Sequence, residues 1–228
     1  VTPKLSVRYR DELQHVFWIG GPPDAGKSTT ARIVADALGG SVYRQDGEEM
    51  NHLRRADRES HPHNADLHSL VVSLSEFALL EALWLADSPQ TMARQARLVW
   101  EERIDFICED LLELPDNQPV VAEGPGLFPV VVGPLLSRPA QAVWLVPTES
   151  FKRESHRRRS KSAGRDQTSA PETMVANHIE RDLILANQYR EDLERLQLPW
   201  IEVDGSENEE TVADRVIRWF RGDGEGNA

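Results

Sequence analysis

The sequence predicts an α/β fold built on a five-stranded parallel sheet, and three observations carry that prediction. Five short apolar runs bounded by Gly, Pro or Asp recur along the 228 residues: Val16 to Gly20, Ser41 to Arg44, Pro119 to Glu123, Gln141 to Val146 and Trp200 to Val203. Stretches of helical spacing separate them, and strands alternating with helices form parallel sheets covered on both faces. A glycine-rich turn follows the first run and opens directly onto a helix. In such sheets ligands collect at the carboxyl ends of the strands, so the chemistry is expected there.

The elements follow in order. Val16 to Gly20 is apolar and ends in glycine, as a buried strand does. Lys27 to Leu38 reads as a helix that Gly39 and Gly40 terminate. Ser41 to Arg44 is a second strand ending near Asp46, and the polar segment 47–64 reads as a short helix followed by a loop at His61, Pro62 and His63. Leu67 to Ala86 has helical spacing, with Leu70, Leu74, Phe77 and Leu80 on one face. Thr91 to Leu114 has it too, through Leu98, Ile104, Ile107, Leu111 and Leu114, and Asp87, Ser88 and Pro89 between the two stretches read as a turn and N-cap. The remaining strands are buried runs separated by helices. With no internal repeat and no long linker, residues 1–221 read as a single domain and 222–228, polar and glycine-rich, as a disordered tail.

A chain of this length can bury a full core without disulfides. Its one cysteine, Cys108, sits in a helical pattern and predicts a packing role in a reducing compartment. No run of about 18 apolar residues spans a membrane, and Val1 to Arg10 lacks the apolar stretch of a signal peptide. A cytoplasmic location without a membrane partner is therefore expected. The formal charge of -12 opposes a nucleic-acid backbone. One segment departs from that average: Lys152 to Arg165 carries seven Lys or Arg residues against Glu154 alone, which is either a solvated surface helix or the site of a specific anion. His52, His61, His63 and His68 have no cysteine or close pair at zinc-finger spacing beside them, so zinc is not predicted.

Gly21-Pro22-Pro23-Asp24-Ala25-Gly26-Lys27-Ser28 fits GxxxxGK[ST] at every fixed position, after a strand and before a helix. Gly21, Asp24, Ala25, Gly26, Lys27, Ser28 and Thr29 are thus the candidate nucleotide-binding residues. Backbone N–H groups of such a loop cradle phosphates, and the helix behind adds its partial positive charge. Lys27 would reach the β and γ phosphates, Ser28 offers Mg²⁺ a hard hydroxyl oxygen, and Thr29 stands near the α phosphate. An ordinary glycine-rich turn has no need of Lys followed by Ser at the helix start.

With this loop, this element order and an arginine-rich stretch late in the chain, the sequence resembles the P-loop small-molecule kinases. These include nucleoside monophosphate kinases, shikimate and gluconate kinases and chloramphenicol phosphotransferase. The resemblance spans most of the chain as architecture and is specific at residue level only in the loop. It implies a three-layer P-loop kinase-like fold with a helical acceptor-binding insertion, here 47–116, and an arginine-rich lid, here 152–170. It also implies ATP-dependent transfer of the γ-phosphate to a hydroxyl of a small-molecule acceptor, with ATP and Mg²⁺ as cofactors. Nucleoside monophosphate or polynucleotide 5'-hydroxyl kinases are alternatives, as is a P-loop ATPase without an acceptor. Arg54 and Arg55 keep a monophosphate acceptor open, whereas a polynucleotide would ask for a broad basic face.

The resemblance also assigns roles. Asp46, just after the second strand, is the candidate base, with a plain turn before Gly47 as the structural alternative. Glu123 closes the third strand at the position that holds Mg²⁺ in such kinases, where Asp is usual; its alternatives are binding the acceptor, acting as base, or serving only as a cap or ion pair. Arg153, Arg157 and Arg158 are the candidate lid arginines for the transferring phosphoryl group. Arg153 and Arg157 share a helical face, and Glu154 is spaced to pair with Arg158. Arg165 and Arg181 rank below them, and selectivity is expected in 47–116, where Trp84 and Trp100 offer flat apolar surfaces.

Overall fold

The computed structural model describes residues 9–159 and 167–223. Its strands are β1 (Val16–Gly20), β2 (Ser41–Arg44), β3 (Val120–Glu123), β4 (Ala142–Pro147) and β5 (Trp200–Val203). They form one sheet in the order β2-β3-β1-β4-β5, with every pairing parallel. The helices are α1 (Lys27–Leu38), α2 (Glu49–Arg55), α3 (Pro62–Ser73), α4 (Glu76–Trp84), α5 (Pro89–Glu102), α6 (Ile104–Leu112), the short α7 (Pro129–Val132), α8 (Glu149–Arg159), α9 (Pro171–Leu196) and α10 (Glu209–Arg221). An α/β fold with helices flanking a five-stranded parallel sheet is the predicted class, and the strand order is compatible with a P-loop fold.

The inner strands β1, β3 and β4 are buried at every residue, as strands covered on both faces must be. Alternation then divides the core in two. Phe17, Ile19, Val121, Val143 and Leu145 pack with α1 and α10 on one face. Trp18, Val120, Ala122, Ala142 and Trp144 pack with α6, α9 and the segment 127–135 on the other. The buried stripe of α10, Val212, Ala213, Val216, Ile217 and Phe220, repeats at helical spacing, and Asn208 caps the helix by accepting the Thr211 N–H at 2.8 Å.

Central placement of β1 drives the first loop close against β4. At Gly21, φ is 132° and a Cβ would stand 2.0 Å from the Leu145 carbonyl oxygen, so only glycine carries the chain past this point.

Segment 47–116 departs from expectation in detail. His61 to His63 is the start of α3 rather than a loop: Pro62 takes the first helical turn, where its missing N–H costs nothing. The Glu102 carboxylate accepts the N–H groups of His63 at 3.1 Å and Asn64 at 3.0 Å. That cap comes from 38 residues away and leaves no local signal. The stretch 67–86 breaks at Leu74, which is extended, and Ser75 caps α4. The stretch 91–114 breaks at Arg103, whose guanidinium is drawn inward to Asn64 at 2.9 Å and Glu49 at 2.8 Å. Ser88 caps α5 as predicted.

The apolar spacing of α4 does not mark core. None of its residues is fully buried, and Phe77 is 52% exposed. Cys108 is buried in α6, where burial pushes its thiol pKa up. Among the described residues no helix is long and apolar enough to cross a membrane.

Candidate active site

Three adjacent strands deliver the predicted groups to one end of the sheet. β1 leads into the loop 21–26, β2 into a tight 3-10 turn (Gln45–Glu48) that carries Asp46, and β3 ends on Glu123. Because β3 lies between β1 and β2, Glu123 is paired in register with Ile19 on one side and Arg44 on the other.

In the loop, Gly26 takes the left-handed conformation that opens α1. The first turn of α1 holds neither an acidic residue nor a side-chain cap, which leaves its leading N–H groups to an anion. Lys27 is buried and donates from Nζ to the Pro22 carbonyl oxygen at 2.8 Å. Burial pulls its ammonium below the ordinary value, while the nearby Glu123 and Asp46 carboxylates pull it up. Asp24 is also buried, and its carboxylate accepts from Lys152 Nζ at 2.5 Å.

Ser28 Oγ donates to Glu123 Oε1 at 2.9 Å, and Arg44 Nε lies 3.5 Å from the same oxygen. The glutamate side chain is 4% exposed, so it presents a nearly enclosed carboxylate beside the loop. Two hard oxygens at that separation match adjacent corners of the octahedron Mg²⁺ demands, which stand about 3 Å apart for arms of about 2.1 Å. Among the described residues no group of three or more His, Cys, Asp or Glu is arranged to hold a metal. A site of two protein oxygens completed by phosphates and water is the Mg²⁺ pattern.

Asp46 is solvent-exposed in the turn after β2 and close enough to Lys27 and Glu123 to interact with both electrostatically. The protein around it raises its carboxyl pKa above the usual value, chiefly by desolvation, with Lys27 acting downward and Glu123 upward. The preceding residue, Gln45, carries no signal in the sequence that singles it out. It is 1% exposed and accepts the Gly126 N–H at 2.8 Å, fastening the end of β2 to the loop after β3. A Cβ on Gly126 would stand 2.0 Å from Gln45 Nε2, so glycine at 126 makes room for the fastening.

The candidate lid arginines are paired with neighbouring carboxylates. Arg153 reaches Glu149 at 2.8 Å and Glu180 at 2.7 Å; Arg157 pairs with Glu154, and Arg158 with Glu154 at 3.5 Å. Of the three, Arg158 borders the loop, lining a cleft of about 510 Å³ with Ala25, Gly26, Thr30, Phe151 and Gly205. The part of the candidate lid at 160–166, with Arg165, lies outside the described residues, as does the expected tail at 224–228. Just beyond it Ser169 is fastened to Glu81 of α4, N–H to Oε1 at 2.7 Å and Oγ to Oε2 at 2.8 Å.

Several groups in and around 47–116 are tied to one another. Asp110 gathers the fully buried His52 at 2.7 Å, the Tyr43 hydroxyl at 2.7 Å and the Arg55 guanidinium at 2.5 Å, and Arg55 also holds Glu109. These hydrogen bonds outweigh the upward push of burial and hold the Asp110 carboxyl below its ordinary pKa. Trp84 stacks on His178 with ring centroids 4.4 Å apart, and Arg181 of α9 lies over both Trp84 and Trp100. No protein-family model matches the chain and no curated protein matches it, so a functional reading rests on the geometry of its own site.

Proposed function

We propose that the chain is an ATP-dependent phosphotransferase that moves the γ-phosphate to a hydroxyl of a small-molecule acceptor. The observation that carries this reading is the convergence of Lys27, Ser28, Asp46 and Glu123 at the ends of β1, β2 and β3, with Ser28 bonded to Glu123.

The loop N–H groups and the start of α1 would hold the β and γ phosphates, and the Lys27 ammonium would exchange its bond to Pro22 for them. Ser28 and Glu123 are the residues that would hold Mg²⁺, which when bound would neutralise part of the polyphosphate charge. Asp46 would orient the acceptor hydroxyl and take its proton as the oxygen attacks γ-phosphorus; ADP leaves as the bond to its β-phosphate oxygen breaks. A raised pKa makes Asp46 the stronger base. Most of the barrier reduction is asked of positioning and charge neutralisation.

The test is ADP release with ATP and Mg²⁺ across alcohols, sugars, antibiotics and nucleoside monophosphates, for the wild type and Lys27→Ala. Acceptor-dependent release lost in the variant is expected. Release that no acceptor stimulates would refute the kinase reading and leave a P-loop ATPase.

A further inference from the structure

The pairing of β2 with β3 ends at Arg44 and Glu123. Past that point no ladder holds the two chains together, yet Asp46 lies just beyond it and can act with Glu123 only if their separation is fixed. The Gln45 side chain spans the gap. It is 1% exposed, and its Oε1 accepts the Gly126 N–H at 2.8 Å.

Two glycines are fitted to this one side chain. A Cβ on Gly124 would stand 2.2 Å from Gln45 Oε1 and 2.5 Å from Gln45 Cβ, and a Cβ on Gly126 would stand 2.0 Å from Nε2. Neither glycine has a positive φ, so what bars a larger residue at both positions is the Gln45 side chain. Nε2 is buried without a hydrogen-bond partner among the described residues. An enclosed amide donor left unpaired costs stability. Methionine would fill a similar volume without that cost, so packing alone does not account for an amide here. Departures of this kind are expected where function sets the residue.

The segment that Gln45 grips is itself held. Tyr189 of α9 donates to the Pro125 carbonyl oxygen at 2.7 Å, and Trp144 of β4 donates from Nε1 to that of Leu127, also at 2.7 Å. At the far end of the Asp46 turn, Glu49 accepts from the buried Arg103 at 2.8 Å. Asp46 thus stands between two ties, and the Gln45 tie joins it to the stretch that carries Glu123.

We propose that Gln45 is a positioning residue for phosphoryl transfer, fastening the Asp46 turn to the loop after β3 so that Asp46 and Glu123 keep a fixed separation. The inference rests on the kinase reading above, with Asp46 as its base, and adds a residue outside the loop motif that acts through Asp46.

The experiment is a cycle of four proteins, wild type, Gln45→Met, Asp46→Asn and the double variant, each assayed for acceptor-dependent ADP release and each with a thermal melt. Gln45→Met keeps the volume and removes the bond to Gly126. It should lower kcat by about tenfold or more with KM for ATP within about threefold, because a small misplacement of a reacting group is costly. In the Asp46→Asn background the same substitution should change kcat by less than about threefold. A Gln45→Met protein that turns over like the wild type overturns the proposal. So does a loss of equal size in both backgrounds, or one carried by KM for ATP. If Gln45→Met does not fold, Gly126→Ala, which drives Gln45 away from the other side, decides by the same comparison in the two backgrounds. A wild type whose release no acceptor stimulates removes the kinase reading and this inference together. A wild type that an acceptor stimulates, with Asp46→Asn impaired and Gln45→Met unchanged, removes the inference alone.

Discussion

Replacing Asp46 by Asn keeps the shape of the side chain and removes its charge and basicity. Asp46 is exposed to solvent, so stability should change by no more than about 0.5 kcal/mol. A positioned general base contributes roughly 10² to 10⁴ in rate, which is about 3–5 kcal/mol of barrier at 1.36 kcal/mol per decade. The nucleotide side should not suffer, since the lost carboxylate lies within the field of Lys27 and opposes incoming phosphate. The expected result is a kcat lowered by about 100-fold or more with KM for ATP within about threefold, measured by acceptor-dependent ADP release.

The pH profile gives a second reading of the same variant. Asp46 has a folded pKa above its ordinary value of 3.8, so wild-type turnover should rise with pH through a value above 3.8, and that limb should vanish in Asp46→Asn. Stability responds in the opposite sense. The folded state keeps this proton to higher pH than the unfolded chain, so ionising Asp46 costs stability above 3.8, and asparagine removes that cost at neutral pH. Turnover within about tenfold of the wild type, or a loss carried wholly by KM for ATP, would refute Asp46 as the base.

Two further outcomes test the frame around the site. Asp110→Ala leaves the buried Tyr43 hydroxyl and His52 ring without their shared acceptor, which should cost about 2–4 kcal/mol at pH 7 and lower Tm by roughly 5–15 °C in calorimetry. The folded pKa of Asp110 is depressed, so its contribution is complete above 3.8 and is lost as pH falls through the folded value; the gap between the two proteins should close below pH 3.8. Gly21→Ala forces a Cβ to 2.0 Å from the Leu145 carbonyl at a φ reserved for glycine. It should destabilise the protein by about 2–5 kcal/mol in urea unfolding and abolish MgATP binding; near-normal affinity would show that the loop tolerates displacement from β4.

Short-range chemistry explains why so much was legible. The strand runs, the helix from Lys27 to Leu38 and the Ser88 cap each depend on residues within a few positions of one another, so periodicity and turn chemistry located them closely. The loop 21–28 belongs to the same class, because its glycines, lysine and serine act through one strand, one turn and one helix start. The helix breaks at Leu74 and Arg103 were less legible, since Arg103 is pulled inward by Asn64 and Glu49, 39 and 54 residues away.

The basic segment shows the other limit. Charge clustering drew attention to Arg153, Arg157 and Arg158, yet these lie on the solvent side of α8 among glutamates, while Lys152 at the head of the cluster is the group driven into the interior. Nothing within a few residues of Lys152 distinguishes it from its neighbours. It bonds to Asp24, 128 residues before it, and to Asp182, 30 residues after it. The sequence of this protein thus carried the kind of fold, the glycine-rich loop 21–28 and the strand-end carboxylates, because local propensity and burial period specify them. The strand order that brings Glu123 to Ser28, the fastening of Gln45 to Gly126 and the pairing of Asp24 with Lys152 arose only in the folded chain, where long-range packing brings distant charges and polar groups together and burial requires that they be satisfied.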